Sequence, residues 1–345
     1  MKFRQRHILS VLIVLAFALA GVMVLEHRQQ AQTAYTKDLF AMDTFFTMKA
    51  YGAKAEEGLE SCALRVQELE SLLSVTQEGS DVWNINHSDE KIVVSRDTFS
   101  LLENAMELGD ETGGALDISL YPVLKAWGFT TGEYRIPDDD EILELLQNVD
   151  YTKIVLDYEE SAVVLPEGAE LDLGSVAKGY TGDCLIALLK EQGVTSALLN
   201  LGGNVQALGA KPDGTPWNVA VKNPFDTNEE LGVLKITDKA VITSGSYERF
   251  FTGEDGKDYW HILDPSDGRP ADSGLVSVTI VGDSGVRCDG LSTALFVMGK
   301  DEAVTFWQQR RDFEMILVTE DGKLYITEGL AECFESSEGW NAEII

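Results

Sequence analysis

The sequence predicts an α+β fold, and the distribution of its periodicities carries that prediction. Segments with helical spacing dominate the chain up to about residue 190, and short strand-like runs crowd the remainder. No internal repeat, heptad series or nucleotide P-loop cuts across this division. With 345 residues the chain can bury a substantial core.

The first 30 residues stand apart from that body. Lys2, Arg4 and Arg6 precede an uncharged apolar run from Ile8 to Leu25, closed by Glu26, His27 and Arg28. Such a run can cross a hydrocarbon layer, and the basic residues before it favour a cytoplasmic N-terminus and an exported body. Ala18-Leu19-Ala20 offers a cleavage site, so residues 1–30 read as a signal-anchor or a signal peptide. Residues 31–36 read as a linker. The protein is expected outside the cytoplasm, anchored at its N-terminus or secreted after cleavage.

Tyr35–Tyr51 reads as a strand and Ala55–Leu73 as a helix, with Leu59, Cys62, Val66, Leu69 and Leu73 on one stripe. A second helix spans residues 98–109 with Phe99, Leu102 and Met106 inward. Asp138-Asp139-Asp140-Glu141 follow Pro137 and suit a helix start, with Ile142, Leu145, Leu146 and Val149 facing the core. Lys153–Asp157 and Ala162–Leu165 read as a hairpin. Leu171 and Leu173 suggest a short strand that breaks at Gly174, with Ser175 as the cap of a helix carrying Ala177, Tyr180, Cys184 and Leu188 on one face and Leu185 and Leu189 beside them. Strands are then expected at Ala197–Leu201, Trp217–Val221, Val233–Ile236, Ala240–Thr243, Tyr259–Leu263 and Val276–Val281. A helical stretch from Cys288 to Arg311, broken at Gly299, precedes a closing pair at Met315–Thr319 and Leu324–Thr327. Cys62, Cys184, Cys288 and Cys333 are too sparse for a disulfide scaffold.

Three segments carry chemistry. Helix N-termini present free N–H groups and favour anions, so Lys178 in a first helical turn is out of place by a few tenths of a kcal/mol unless an anion binds there. A solvated lysine is the other reading. Asp289, Ser292 and Thr293 fall at i, i+3 and i+4, placing one carboxylate and two hydroxyls on one helical face. Such hard oxygen donors suit Mg²⁺ better than zinc. Alternatively Asp289 caps the helix and the hydroxyls bond back to their own backbone. His261 to Pro270 ends a strand in a turn and brings a His, two carboxylates and an Arg together.

In order along the chain, these segments resemble the ApbE-like flavin transferases, the FAD:protein FMN transferases. The resemblance rests on Met42-Asp43-Thr44, Leu73-Ser74, Asn86, Gly113-Gly114-Ala115-Leu116-Asp117-Ile118 and Trp127-Gly128-Phe129. It continues through Asp172-Leu173-Gly174-Ser175-Val176-Ala177-Lys178-Gly179-Tyr180 and Asn200-Leu201-Gly202-Gly203-Asn204. Thr243-Ser244-Gly245, His261-Ile262-Leu263-Asp264-Pro265 and Asp289-Gly290-Leu291-Ser292-Thr293 complete it. It implies an ApbE-like (T-fold-like), two-lobed body over residues 37–332, with 333–345 as a C-terminal tail. It further implies Mg²⁺-dependent transfer of FMN from FAD to a Thr or Ser hydroxyl of an exported acceptor flavoprotein, releasing AMP. By resemblance Met42, Ala115, Leu116, Asp117, Asp172, Lys178 and Ile262 contact the flavin nucleotide. Ser175, Asp289, Ser292 and Thr293 would hold the metal, and His261 and Asp289 would be catalytic. Thr76 stands where relatives often have an aromatic residue against the flavin.

The formal charge of −31 argues against nucleic acid as a partner. The missing Gly-x-Gly-x-x-Gly helix start argues against a Rossmann FAD site. Two other functions use the same residues: hydrolysis of FAD to FMN and AMP, and simple flavin binding by an exported protein.

Overall fold

The computed structural model describes residues 32–345. The expected leader over residues 1–30 lies outside the described residues, as does the start of the expected linker. Among the described residues no helix is long and apolar enough to cross a membrane.

Where one strand was expected over Tyr35–Tyr51, the chain makes a hairpin of β1 (Ala34–Ala41) and β2 (Thr44–Tyr51). Its turn is Met42 and Asp43, with φ of 48° and 60°. Two left-handed residues match the twist of paired strands, but Asn-Gly usually supplies them. Here tertiary contact holds the turn: the Met42 N–H donates to Glu70 Oε1 at 2.6 Å. Glu70 belongs to α1 (Ala55–Leu73), whose apolar stripe is buried as its spacing predicts.

Next come α2 (Asp81–Asn86), β3 (Ile92–Val93), α3 (Arg96–Glu111), α4 (Tyr121–Trp127) and α5 (Asp139–Leu145). Ser80 and Ser95 cap α2 and α3, accepting from the N–H groups of Trp83 and Thr98. β4 (Val155–Asp157) and β5 (Ala162–Val164) form the expected hairpin and β3 joins it. Leu171–Leu173 is not a strand. Its backbone is held from the side instead, by a two-way clamp with the Asn86 amide (both bonds 2.8 Å) and by the Ile118 carbonyl.

Helix α6 (Ala177–Glu191) begins later than Ser175, and no side chain caps it. Leu185 and Leu189 are buried as expected, and Gly179, Thr181 and Gly182 join them as its deepest face, while Ala177, Tyr180, Cys184 and Leu188 pack partly buried beside the cores. The reason is a close helix neighbour, for which glycines rather than large apolar residues make room. β6 (Ala197–Leu201), β7 (Asn204–Leu208), β8 (Trp217–Lys222), β9 (Glu230–Ile236) and β10 (Ala240–Gly245) come after it. Two short ribbons, β11 (Phe250–Thr252) with β12 (Asp258–Trp260) and β13 (Leu263–Asp264) with β14 (Arg269–Pro270), replace the expected strand over Tyr259–Leu263. After β15 (Leu275–Gly282), α7 (Gly285–Met298) and α8 (Lys300–Arg310) are separated at Gly299 as expected. β16 (Glu314–Thr319), β17 (Leu324–Ile326), β18 (Phe334–Ser336) and β19 (Ala342–Ile344) close the chain. Residues 333–345 are therefore not a loose tail: they contribute strands to both main sheets.

The body has three layers. A nine-stranded sheet runs β1-β2-β6-β7-β10-β15-β16-β17-β19, antiparallel except for its last pair. Alternate residues point to opposite faces. Ile242, Val278, Ile280, Met315 and Leu317 join the core shared with the helices. Val205, Val241, Val281, Ile316 and Val318 meet the small sheet β18-β9-β8 on the other side. Each fully buried Val, Ile or Leu contributes about 1.5–3 kcal/mol. A separate core of Leu120, Val123, Trp127, Phe129, Ile142 and Leu263 holds α4, α5 and the short ribbons together. That smaller lobe borders the candidate site.

Candidate active site

The site begins where α6 touches α7. A Cβ on Gly179 would collide with the Gly285 carbonyl and lie 2.7 Å from the Asp289 Cβ, so only glycine permits this approach. Gln206 donates to the Gly179 carbonyl at 3.0 Å. Asp183 of α6 caps α7, accepting from the Gly285 and Val286 N–H groups at 2.7 and 3.0 Å and from Ser284 Oγ. Packed this closely, the Gly179 N–H donates to Asp289 Oδ2 at 2.8 Å.

Asp289 is 5% exposed. Burial raises its pKa, while Lys178, the Gly179 N–H and Asn204 act to keep it charged. Asn204 itself is buried, and its Nδ2 stands outside hydrogen-bonding geometry for any described partner. Asp289 does not cap its helix; Ser284 does. Ser292, in contrast, bonds back to the Asp289 carbonyl at 2.8 Å. Ser244 Oγ lies 2.8 Å from Ser292 Oγ and 3.3 Å from Thr293 Oγ1. Asp289, Ser292 and Thr293 thus share one face, as their spacing predicts. Ser175 sits half-buried in the turn before α6, its hydroxyl making no hydrogen bond among the described residues.

Lys178 forms no ion pair among the described residues, yet it acts electrostatically on Asp172, Glu248, His261 and Asp289. It is the cation that these four groups share, with Arg249 and Lys222 acting on some of them. Burial raises the pKa of Asp172, opposed by the Gly174 N–H, Arg249 and Lys178. Burial pushes Glu248 up to about 7, with Lys178 and Lys222 opposing and Asp289 adding to the rise. Glu248 is nonetheless an exposed residue, crowded by protein groups yet open to solvent.

His261 occupies the bend between the two short ribbons, at a half-buried position beside Phe129. Burial pushes its pKa down to about 3; Arg249 and Lys178 lower it further, and a bond to the Arg249 backbone opposes them. His261 Nδ1 lies 3.2 Å from the Arg249 carbonyl. A carbonyl only accepts, so the proton sits on Nδ1 and the Nε2 lone pair is free. This bond ties the imidazole to the backbone of Arg249.

The remaining expected ligand contacts lie on several different elements. Met42 reaches α6, where Thr181 Oγ1 lies 3.7 Å from its sulfur. Leu116 is buried and packs toward Gly290 of α7, which brings the Gly113–Ile118 loop to the same helix; Ala115 lies partly buried there. Both Asp117 oxygens are engaged by Ser119 and the Tyr151 N–H, so this carboxylate shapes its own loop. Ile262 is buried under the cleft. Thr76 bonds to Ser74 in the turn after α1.

Glu248, Arg249, Ser244, Asn204 and Lys222 were not singled out from the sequence as site residues. Ser244 and Asn204 lie inside motifs that carried the resemblance, which was a usable signal. Glu248 and Arg249 come just after β10 in an ordinary polar turn, and nothing in the sequence marks them.

Among the described residues no group of three or more His, Cys, Asp or Glu side chains could hold a metal. A single carboxylate with neutral hydroxyls still fits a hard divalent cation that retains water and takes phosphate oxygens as ligands. The buried Asp289 carboxylate and the Asn204 Nδ2, which has no hydrogen-bond partner among the described residues, agree with that fit. A lysine at a helix N-terminus, a hard-oxygen face and a neutral imidazole around one cleft equip a protein to handle a phosphate anhydride.

The chain belongs to the ApbE family, whose profile matches residues 42–317. It is 36% identical over 276 residues to a Klebsiella pneumoniae protein named FAD:protein FMN transferase, covering 78% of this chain and 85% of that one. A Treponema pallidum protein of the same name is 29% identical over 319 residues, covering 86% and 88%. The crystal structure of the ApbE protein of Thermotoga maritima superposes with a TM-score of 0.79 at 32% identity, covering 89% of this chain and 97% of that one. The flavin transferase ApbE of Vibrio cholerae gives a TM-score of 0.78 at 25% identity, covering 87% and 99%.

Proposed function

We propose that this chain is an FAD:protein FMN transferase that moves FMN from FAD to a Thr or Ser hydroxyl of an exported acceptor protein, with Mg²⁺, and releases AMP. The observation that carries the mechanism is the neutral His261, its Nε2 lone pair free, on the same cleft as Lys178 and the Asp289 face. Lys178, in the first turn of α6, binds the diphosphate of FAD. The acceptor oxygen attacks the phosphorus of the FMN half, and its proton passes to His261 Nε2. The bond from that phosphorus to the bridging oxygen breaks, and AMP leaves with that oxygen.

An imidazole with a pKa of about 3 is a weak base. Burial is the larger cause of that low value; two nearby cations add to it, and the negative charges of bound FAD oppose that smaller part. His261 therefore gains basicity when the substrate is in place. Asp289, Thr293 and Ser175 would hold Mg²⁺, which supplies positive charge to the phosphoryl oxygens. The basic-then-apolar leader supports placing the reaction outside the cytoplasm, with the enzyme at the membrane or released from it.

The deciding experiment mixes the protein with FAD, Mg²⁺ and a Thr-containing acceptor domain. Flavin fluorescence that stays with the acceptor through denaturation is expected. Free FMN and AMP with an unlabelled acceptor would make the chain a hydrolase, and unchanged FAD would make it a binding protein.

A further inference from the structure

We propose that Ser244 is a positioning residue that holds the Thr293 hydroxyl proton and thereby leaves both Thr293 lone pairs for a cation. The proposal rests on reading the Asp289 face as a cation site. Ser244 lies two residues after Ile242 on β10 and so shares its helix-facing side of the sheet. Its Oγ is 2.8 Å from Ser292 Oγ and 3.3 Å from Thr293 Oγ1.

The direction of each bond is set by one fixed point. Ser292 Oγ lies 2.8 Å from the Asp289 carbonyl, which can only accept, so the single Ser292 proton points there. Ser244 must then donate in its contact with Ser292. With its one proton used, Ser244 accepts in its contact with Thr293. The order is Thr293 to Ser244 to Ser292 to the Asp289 carbonyl.

Two consequences separate neighbouring hydroxyls. Ser292 has no exposed surface, gives one bond to the helix backbone and receives one from the sheet, so it acts as a strut between them. Thr293 is partly accessible and its oxygen is otherwise uncommitted. A ligand whose proton is taken by an outer partner is fixed in orientation and is a better donor to a metal. The strand β10 thus tunes a ligand set carried by helix α7.

The test titrates the full chain with Mn²⁺ alone and monitors the free-ion signal by electron paramagnetic resonance. Ser244→Ala should weaken Mn²⁺ roughly 10- to 100-fold with an unchanged melting temperature. In a Thr293→Val background the same change should add nothing, because Ser244 acts through Thr293. Wild-type affinity in Ser244→Ala, or additive losses in the double variant, would overturn the proposal. If Ser244→Ala lowers the melting temperature, Ser244→Cys keeps the volume and substitutes a weak acceptor, and the same two outcomes apply. Failure of the wild-type protein to bind Mn²⁺ would instead remove the cation reading of the whole face, and the proposal with it.

Discussion

The α6–α7 junction and the ribbons around His261 border one cleft but are secured by different means. At the junction, backbone meets backbone: Gly179 lies against Gly285, Gln206 bonds the Gly179 carbonyl, and Asp183 ties α6 to the start of α7. Around His261 the chain forms ribbons of two or three residue pairs, and one bond to the Arg249 carbonyl orients the imidazole. Aromatic packing of Trp127, Phe129, Phe251 and Tyr259 supplies most of the remaining support. On the proposed reaction the difference is useful. Phosphates and a cation need fixed partners, whereas the acceptor side must admit a segment of another protein.

Breaking the junction should have the largest effect. Gly179→Ala places a methyl group against a backbone carbonyl that cannot rotate away, at a cost of about 1–3 kcal/mol or more. Both thermal stability and FMN transfer should fall; a variant with wild-type melting temperature and activity would show that the helices can separate freely. Asp289→Asn is a gentler probe, because the amide oxygen can still accept from Gly179. Transfer should drop by roughly 10²-fold or more with little change in stability. Activity retained at low Mg²⁺ would remove Asp289 from the cation face.

On the ribbon side, His261→Asn keeps a donor for the Arg249 carbonyl and loses the proton acceptor. Transfer should fall by roughly 10²- to 10⁴-fold while FAD affinity is preserved. An unchanged rate across pH 6 to 9 would leave His261 as a tether only. The same residue gives a direct titration test by NMR. Without FAD its ring should stay neutral far below 6.5, to about 3, and FAD should move the midpoint upward. Since the folded pKa lies below the unfolded one, the unfolded chain binds this proton first. His261 therefore lowers stability as pH falls from about 6.5 toward 3. A midpoint near 6.5 in the free protein would erase the contrast between the two regions. The smallest effect belongs to Trp127→Phe, which leaves the Gly268 carbonyl without its 2.8 Å donor. About 1 kcal/mol of unfolding free energy should be lost, measured in urea, with transfer nearly intact.

The two regions also differed in how far the sequence revealed them. Amphipathic spacing located α1 to its observed ends, and Gly299 marked the break between α7 and α8. The same logic found Leu185 and Leu189 of α6 but missed Gly179 and Gly182, which are buried yet contribute no hydrophobic signal. The Met42–Asp43 turn was hidden because its left-handed residues are held by Glu70 and not by their own chemistry. Leu171–Leu173 has the composition of a strand but takes its backbone partners from Asn86 and Ile118. The i, i+3, i+4 spacing did place Asp289, Ser292 and Thr293 together. It could not show that Ser292 is engaged on both sides, which depends on a strand some fifty residues earlier. Arg249 and Glu248 had no local signature, since their position relative to Lys178 arises only from the closure of the small lobe.

The bond from Gly179 to Asp289 joins residues 110 positions apart. Contacts of such long sequence separation form late, after the chain has lost the entropy of a large loop. A growing or truncated chain that ends before α7 possesses Lys178, Asp172 and Glu248 but lacks Asp289, Ser292 and Thr293. The proposed cation face of this fold therefore reports on completion: a chain that presents it has already been made, and folded, at least through α7.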